Sequence, residues 1–70
     1  MKFIINGKQE DFPSFNDSVL LNDLLIKYID GSLDGIAIAV NSELVTRSNW
    51  NEKLLFGGEK IEIVRAFSGG

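Results

Sequence analysis

Between Gly35 and Asn41 the chain reads Ile36-Ala37-Ile38-Ala39-Val40, a strict alternation of large and small apolar side chains. Successive side chains of a strand point to opposite faces, so this run predicts a strand with Ile36, Ile38 and Val40 on one face and Ala37 and Ala39 on the other. Large residues toward a covering helix and small ones away is the pattern of a central strand whose outer face lets something approach. The rest of the chain has to supply the neighbours of that strand and the helix over its bulky side.

The N-terminal segment supplies a hairpin. Phe3-Ile4-Ile5 is closed by Asn6-Gly7, the dipeptide that most readily provides the two positive-φ positions of a type I′ turn. This predicts strands over residues 2–6 and 8–15, with Pro13, which lacks an N–H, placing the second at a sheet edge or at its frayed end. Phe12 and Phe15 are expected to drop into the core.

Asn16-Asp17-Ser18 then reads as a helix start, because each side chain offers an oxygen to an unpaired N–H of the first turn. Leu21, Leu24, Leu25 and Tyr28 form one apolar stripe, flanked by Val19 and Ile29, with Asn22, Asp23 and Lys27 opposite and Gly31 as terminator after Asp30.

Beyond the alternating strand, Asn41-Ser42-Glu43 is a turn and Leu44-Val45 a short strand. Residues 46–50 form an irregular or short helical connection anchored by Trp50. Leu54-Leu55-Phe56 adds core residues, and Gly57-Gly58-Glu59 turns tightly. A last strand over residues 60–67 places Ile61, Ile63 and Phe67 on one face and Glu62, Val64 and Ala66 on the other.

A helix between the second and third strands suggests a crossover, with the first and last strands parallel at the sheet centre and the helix on one side only. The class is α+β. Residues 1–67 make the folded domain and residues 68–70 a tail.

Composition removes most enzyme chemistry. Seventy residues bury only roughly 60% of the surface exposed in the unfolded chain, which leaves little room for an internal active-site cavity. There is no cysteine and no histidine, hence no disulfide framework, thiolate metal site, cysteine nucleophile or imidazole base. Ten acidic against seven basic residues give a net charge of −3, a poor footprint for nucleic acid. The apolar run before Asn6-Gly7 is too short for a signal peptide or a membrane span, so the chain is expected in the cytosol.

No GxxxxGK[ST] or GxGxxG phosphate loop is present, the carboxylates show no metal-loop spacing, and Ser68 has no histidine or lysine pattern to activate it as a nucleophile. What remains is the end of the chain, Ser68-Gly69-Gly70. At average glycine usage a chain ends in Gly-Gly by chance about 0.5% of the time. Two residues without a Cβ let a backbone carboxylate enter a narrow partner site. That carboxylate is ionised at neutral pH and resists nucleophilic attack, so it acts as an acyl donor only after activation, most simply as an adenylate made by an ATP-using partner. A sulfur nucleophile then leaves a thiocarboxylate, or a lysine an amide. Residues 68–70 reach roughly 10 Å beyond the strand when extended. The sheet face opposite the helix, carrying Ile4, Ala37, Ala39, Val64 and Ala66, is the expected docking surface for such a partner.

These residues resemble a known group. The Asn6-Gly7 turn, the Leu21-Asn22-Asp23-Leu24-Leu25 segment, Ile36-Ala37-Ile38-Ala39-Val40-Asn41 followed by Val45-Thr46-Arg47-Ser48-Asn49-Trp50, and the finish Gly58-Glu59-Lys60-Ile61-Glu62-Ile63-Val64 with Gly69-Gly70 are similar to the ubiquitin-like β-grasp sulfur carriers of the ThiS/MoaD family. The strand-Asn then Val-x-Arg-x-x-Trp combination favours the thiamine branch over the molybdopterin one. Thr46, where the family usually has proline, and Gly57-Gly58-Glu59, where it usually has an Asp-Gly-Asp-like turn, depart from the pattern.

The resemblance implies a ubiquitin-like β-grasp fold with a mixed four- to five-stranded sheet. It implies a protein cosubstrate, not an enzyme: a ThiF-like adenylyltransferase adenylates Gly70, a sulfur-donating enzyme of the cysteine-desulfurase route converts it to a thiocarboxylate, and a ThiG-like thiazole synthase takes the sulfur. Gly69 is then the access residue, with Ser68 beside it in the partner's cleft. ATP and magnesium are used by the adenylyltransferase and no cofactor is bound by this chain. Carriage of sulfur to molybdopterin or another acceptor, protein conjugation, and a plain β-grasp interaction module with idle glycines stay open as alternatives. Adding a residue after Gly70 or deleting it separates carrier from module.

Overall fold

The computed structural model describes residues 1–14 and 16–65. Strand β1 (Lys2–Ile5) pairs antiparallel with β2 (Lys8–Asp11), Ile5 opposite Lys8. Only Asn6 and Gly7 lie between them, at φ 51° and 80°, which is the expected glycine-assisted turn. The second strand stops at Asp11, short of the expected 8–15. Phe12 leaves the ladder to pack against the core, its N–H donating to the Met1 carbonyl at 2.7 Å, and Pro13 has no N–H to continue the pairing. Phe15 lies outside the described residues.

Next come β3 (Val19–Leu20) and the helix α1 (Leu21–Tyr28). The helix does not start at Asn16-Asp17-Ser18 as expected. Leu20 stays extended because β3 pairs with β6 (Leu54–Leu55), and the first helical N–H groups are met by backbone: Leu21 donates to the Lys53 carbonyl at 2.8 Å and Asn22 to that of Trp50 at 3.1 Å. Tertiary carbonyls thus take the role that a capping side chain plays elsewhere. At the other end the helix closes at Tyr28, earlier than Asp30, with the Ile29 N–H bonded to the Leu25 carbonyl and Gly31 beyond it at φ 100°.

The remaining strands are β4 (Ile36–Val40), β5 (Glu43–Val45) and β7 (Lys60–Arg65), with a 3-10 turn, Arg47–Asn49, between β5 and β6. The main sheet has the order β2-β1-β7-β4-β5. Its central strand β7 runs parallel to β1, with Ile5 beside Ile61, and antiparallel to β4, with Val40 beside Ile61 and Ile36 beside Arg65. One helix on one face of a five-stranded mixed sheet is the β-grasp arrangement that the resemblance implies. The described part of the last strand ends at Arg65; Ala66 and Phe67 lie outside the described residues.

The core fills the space between sheet and helix. Phe3, Ile38 and Ile61 from the sheet, Leu21, Leu24 and Leu25 from α1, and Leu55 from β6 are fully buried, joined by Ile5, Val40 and Trp50. Trp50 anchors its connection as expected, its indole N–H donating to the Val45 carbonyl at 3.0 Å. Tyr28, expected in the stripe, is 43% exposed because the helix ends there and turns it past the edge of the core. Leu54 and Phe56 also face outward: strand alternation in β6 sends only Leu55 inside.

On the surface beside Trp50, Arg47 lies over the indole ring and binds Asp34 at 3.0 Å. That hydrogen bond, with one from Ser32, holds the Asp34 carboxyl below its ordinary range. Its contribution is in place above that range and fades as pH falls through the lowered value.

Replacing Leu24 by alanine is expected to lower unfolding free energy by about 2–5 kcal/mol, whereas Ile26→Ala, on the exposed side of the same helix, should change it by no more than about 0.5 kcal/mol. Urea titration followed by circular dichroism separates the two, and equal losses would mean that the buried stripe is misplaced.

Candidate functional site

The face of the main sheet opposite α1 is set by the same alternation that fills the core. Phe3 and Ile5 point inward, so Lys2 and Ile4 point outward; Ile61 points inward, so Lys60, Glu62 and Val64 point outward. On β4, Ala37 is exposed and Ala39 half-buried. Register then decides which outward side chains are neighbours. Ala37 stands opposite Val64, and Ala39 opposite Glu62 on one side and Leu44 on the other. Cross-strand partners lie within side-chain reach of one another.

Of the docking residues expected from sequence, Ala37, Ala39 and Val64 are thus brought together, with Val64 58% exposed. Ile4 lies on the same face but across β7, opposite Lys60 and Gln9, so the Lys60 and Glu62 side chains stand between it and the alanines. Ala66, Ser68, Gly69 and Gly70 lie outside the described residues.

Leu44 was missed as a face residue although it is 69% exposed, the most open large apolar side chain on the described surface. Its signal was present in the turn. A two-residue loop, Asn41-Ser42, places Val40 opposite Glu43 and so Ala39 opposite Leu44. Neither loop residue is glycine, yet both adopt positive φ, 51° and 69°. Asn is among the residues that tolerate this region, and here the Asn41 side chain is held by bonds distant in sequence, accepting from the Lys60 N–H at 3.0 Å and donating to Glu59 at 3.1 Å. Glu59 in turn accepts from the Phe56 N–H at 2.6 Å, which ties the Gly57-Gly58 turn to the end of β4.

The face therefore offers a small apolar corner made by Ala37, Ala39, Leu44 and Val64, with Ala39 in the middle and an acid, Glu62, at the margin toward β1. Among the described residues no group of three potential metal-ligating side chains is brought together. Among them, too, no helix is long and apolar enough to cross a membrane. What the arrangement offers is a small apolar patch on the sheet face opposite α1.

The ThiS family model matches residues 4–70, from the first strand through Ser68-Gly69-Gly70. The chain belongs to the ThiS family. A solved structure similar to it is the crystal structure of a thiamine biosynthesis protein (ThiS) from Geobacter metallireducens, with a TM-score of 0.84 at 20% identity and complete coverage of both chains. At that identity the likeness establishes a common fold, and it does so over the whole ThiS-family domain. No curated protein matches the sequence significantly.

If this corner is free surface in the ThiS-family chain, Leu44→Ser and Val64→Ser should each lower stability by no more than about 1 kcal/mol. Thermal unfolding followed by circular dichroism checks this, and a loss as large as that of a core leucine would show that the chain itself covers the face.

Proposed function

We propose that this protein is a sulfur carrier of thiamine biosynthesis, in which residues 1–67 form the docking body and residues 68–70 the tail that enters the partner. The observation that carries this reading is the family match extending through Ser68-Gly69-Gly70, on a chain that has neither cysteine nor histidine.

In the proposed cycle a ThiF-like adenylyltransferase binds the body through Ala37, Ala39, Leu44 and Val64, with Ile4 and Ala66 extending the contact. One oxygen of the Gly70 carboxylate attacks the α-phosphorus of magnesium-bound ATP. The bond from that phosphorus to the bridging oxygen breaks, pyrophosphate leaves, and Gly70 becomes an acyl adenylate. Sulfide, or a persulfide sulfur with a reductant from the sulfur-donating enzyme, then displaces AMP at the carbonyl carbon and leaves a thiocarboxylate. A ThiG-like thiazole synthase accepts the sulfur. Every step takes place on partners, so the chain is a cosubstrate and not a catalyst. The cytosol is the compartment that fits this role.

The physical logic lies in division of labour. A carboxylate gains reactivity only where ATP is bound, and the carrier contributes a slender end that reaches that place. Gly69 and Gly70 present no Cβ to the walls of the cleft, and Ser68 is the first residue with a side chain.

The test is intact mass spectrometry after incubation with the adenylyltransferase of the same genome, Mg-ATP and sulfide. We expect the mass gain of one oxygen replaced by one sulfur, localised to Gly70, and no gain in chains that lack Gly70 or carry an added residue after it. An unchanged wild-type mass, with the enzyme shown to be active in ATP–pyrophosphate exchange on a second carrier, would sink the carrier reading.

A second outcome concerns docking. Ala39→Arg sets a long charged side chain on the apolar corner and is expected to raise KM for adenylation about tenfold, equivalent to about 1.4 kcal/mol, without unfolding the chain. Steady-state pyrophosphate release measures it; an unchanged KM would place the contact elsewhere on the body.

A further inference from the structure

The side chain of Asn6 does something that its role in the turn does not require. In a parallel ladder β1 and β7 exchange bonds in sequence: the Ile4 N–H donates to the Glu59 carbonyl at 3.1 Å and the Asn6 N–H to the Ile61 carbonyl at 2.9 Å. The next bond would run from the Ile63 N–H to the Asn6 backbone carbonyl. At that point the backbone of Asn6 turns away, at φ 51°, into the hairpin. Its side-chain amide takes over instead. Oδ1 accepts the Ile63 N–H at 2.7 Å, and Nδ2 donates to the Ile63 carbonyl at 3.2 Å.

A primary amide has the same donor and acceptor as a peptide group. One side chain thus replaces a full peptide unit and continues the ladder past the end of β1. Among the described residues, Ile63 is the last residue of β7 bonded from the β1 side. Beyond it the described strand is paired on its β4 side, where Val64 and Arg65 lie opposite Ala37 and Ile36.

We propose that Asn6 is a positioning residue for adenylation of Gly70. It locks both polar groups of Ile63 and so fixes the base from which the tail reaches the adenylylating site. This rests on the carrier reading above and deepens it. Asn6 lies outside the Ala37, Ala39, Leu44 and Val64 corner, so its effect is on alignment of the carboxylate with the α-phosphorus, not on seating of the body. Misalignment of reacting atoms lowers turnover while leaving ground-state binding in place.

The molecule contains its own control. Asn41 at the far end of β7 has the same φ of 51° and likewise accepts a β7 N–H, that of Lys60, through its side chain. Asn6→Gly and Asn41→Gly each preserve a positive-φ turn and delete one such clamp, one near the tail and one away from it.

The experiment measures adenylation kinetics of wild type, Asn6→Gly, Asn6→Asp and Asn41→Gly with the same adenylyltransferase, together with amide hydrogen exchange by NMR. We expect Asn6→Gly to lose exchange protection at Ile63 and to fall about tenfold in kcat, with KM within about twofold of wild type. Asn6→Asp keeps the acceptor and loses the donor, and should fall between. Asn41→Gly should lose protection at Lys60 with kcat within about twofold of wild type. Equal kcat effects of the two glycine variants, or unchanged protection of Ile63 in Asn6→Gly, overturn the positioning role while the carrier reading stands. A wild-type chain that is not adenylated at all removes the carrier reading, and this proposal with it.

Discussion

The pairing of β7 with both halves of the molecule is the constraint on which the rest depends. Without it the chain is a hairpin, a helix and a second hairpin, and two-stranded ribbons are marginal in water. With it, Ile61 sits between Ile5 on one side and Val40 on the other, and the inward faces of β1 and β4 become one surface for α1 to cover. Asn41 and Asn6 hold the two ends of this strand through side-chain amides, at Lys60 and Ile63. The sheet is thus widest where its pairing is most heavily secured.

That arrangement sets an order of events. The parallel contact joins the first strand of the chain to the last, a pairing of high sequence separation, and such contacts form late because loop closure precedes any return from the pairing. The small second sheet eases this, since β3 and β6 bring the helix start and the Trp50 connection together over a shorter loop. Residues 50 and 53 give their carbonyls to the first turn of α1, so the start of the helix and the connection around Trp50 are held to one another.

The elements governed by local rules were legible in the sequence. Alternation from Ile36 to Val40, the Asn6-Gly7 turn, the Leu21, Leu24 and Leu25 stripe and the Gly57-Gly58 turn all stand where strand period, helix period and positive φ place them. What failed was decided by partners distant in sequence. Asn16-Asp17-Ser18 carries a strong capping pattern, yet nothing local shows that the helix will start at Leu21 with the Leu21 and Asn22 N–H groups bonded to the Lys53 and Trp50 carbonyls. Leu54, Leu55 and Phe56 are equally apolar, and only pairing with β3 selects Leu55 for the interior. For the candidate site, Ala37, Ala39 and Val64 followed from alternation alone. Leu44 needed the hairpin register, and the separation of Ile4 from the alanines needed the strand order.

The small side chains of the outer face have a consequence for whatever covers it. Alanine has no rotamers to lose, and valine on a strand is already restricted, so Ala37, Ala39 and Val64 surrender little freedom on contact, in contrast to a surface of lysines or methionines. At the same time the corner is small, and its contact area limits how strongly it holds. A surface that costs little to order and offers only a small contact area fits a transient contact better than a permanent interface.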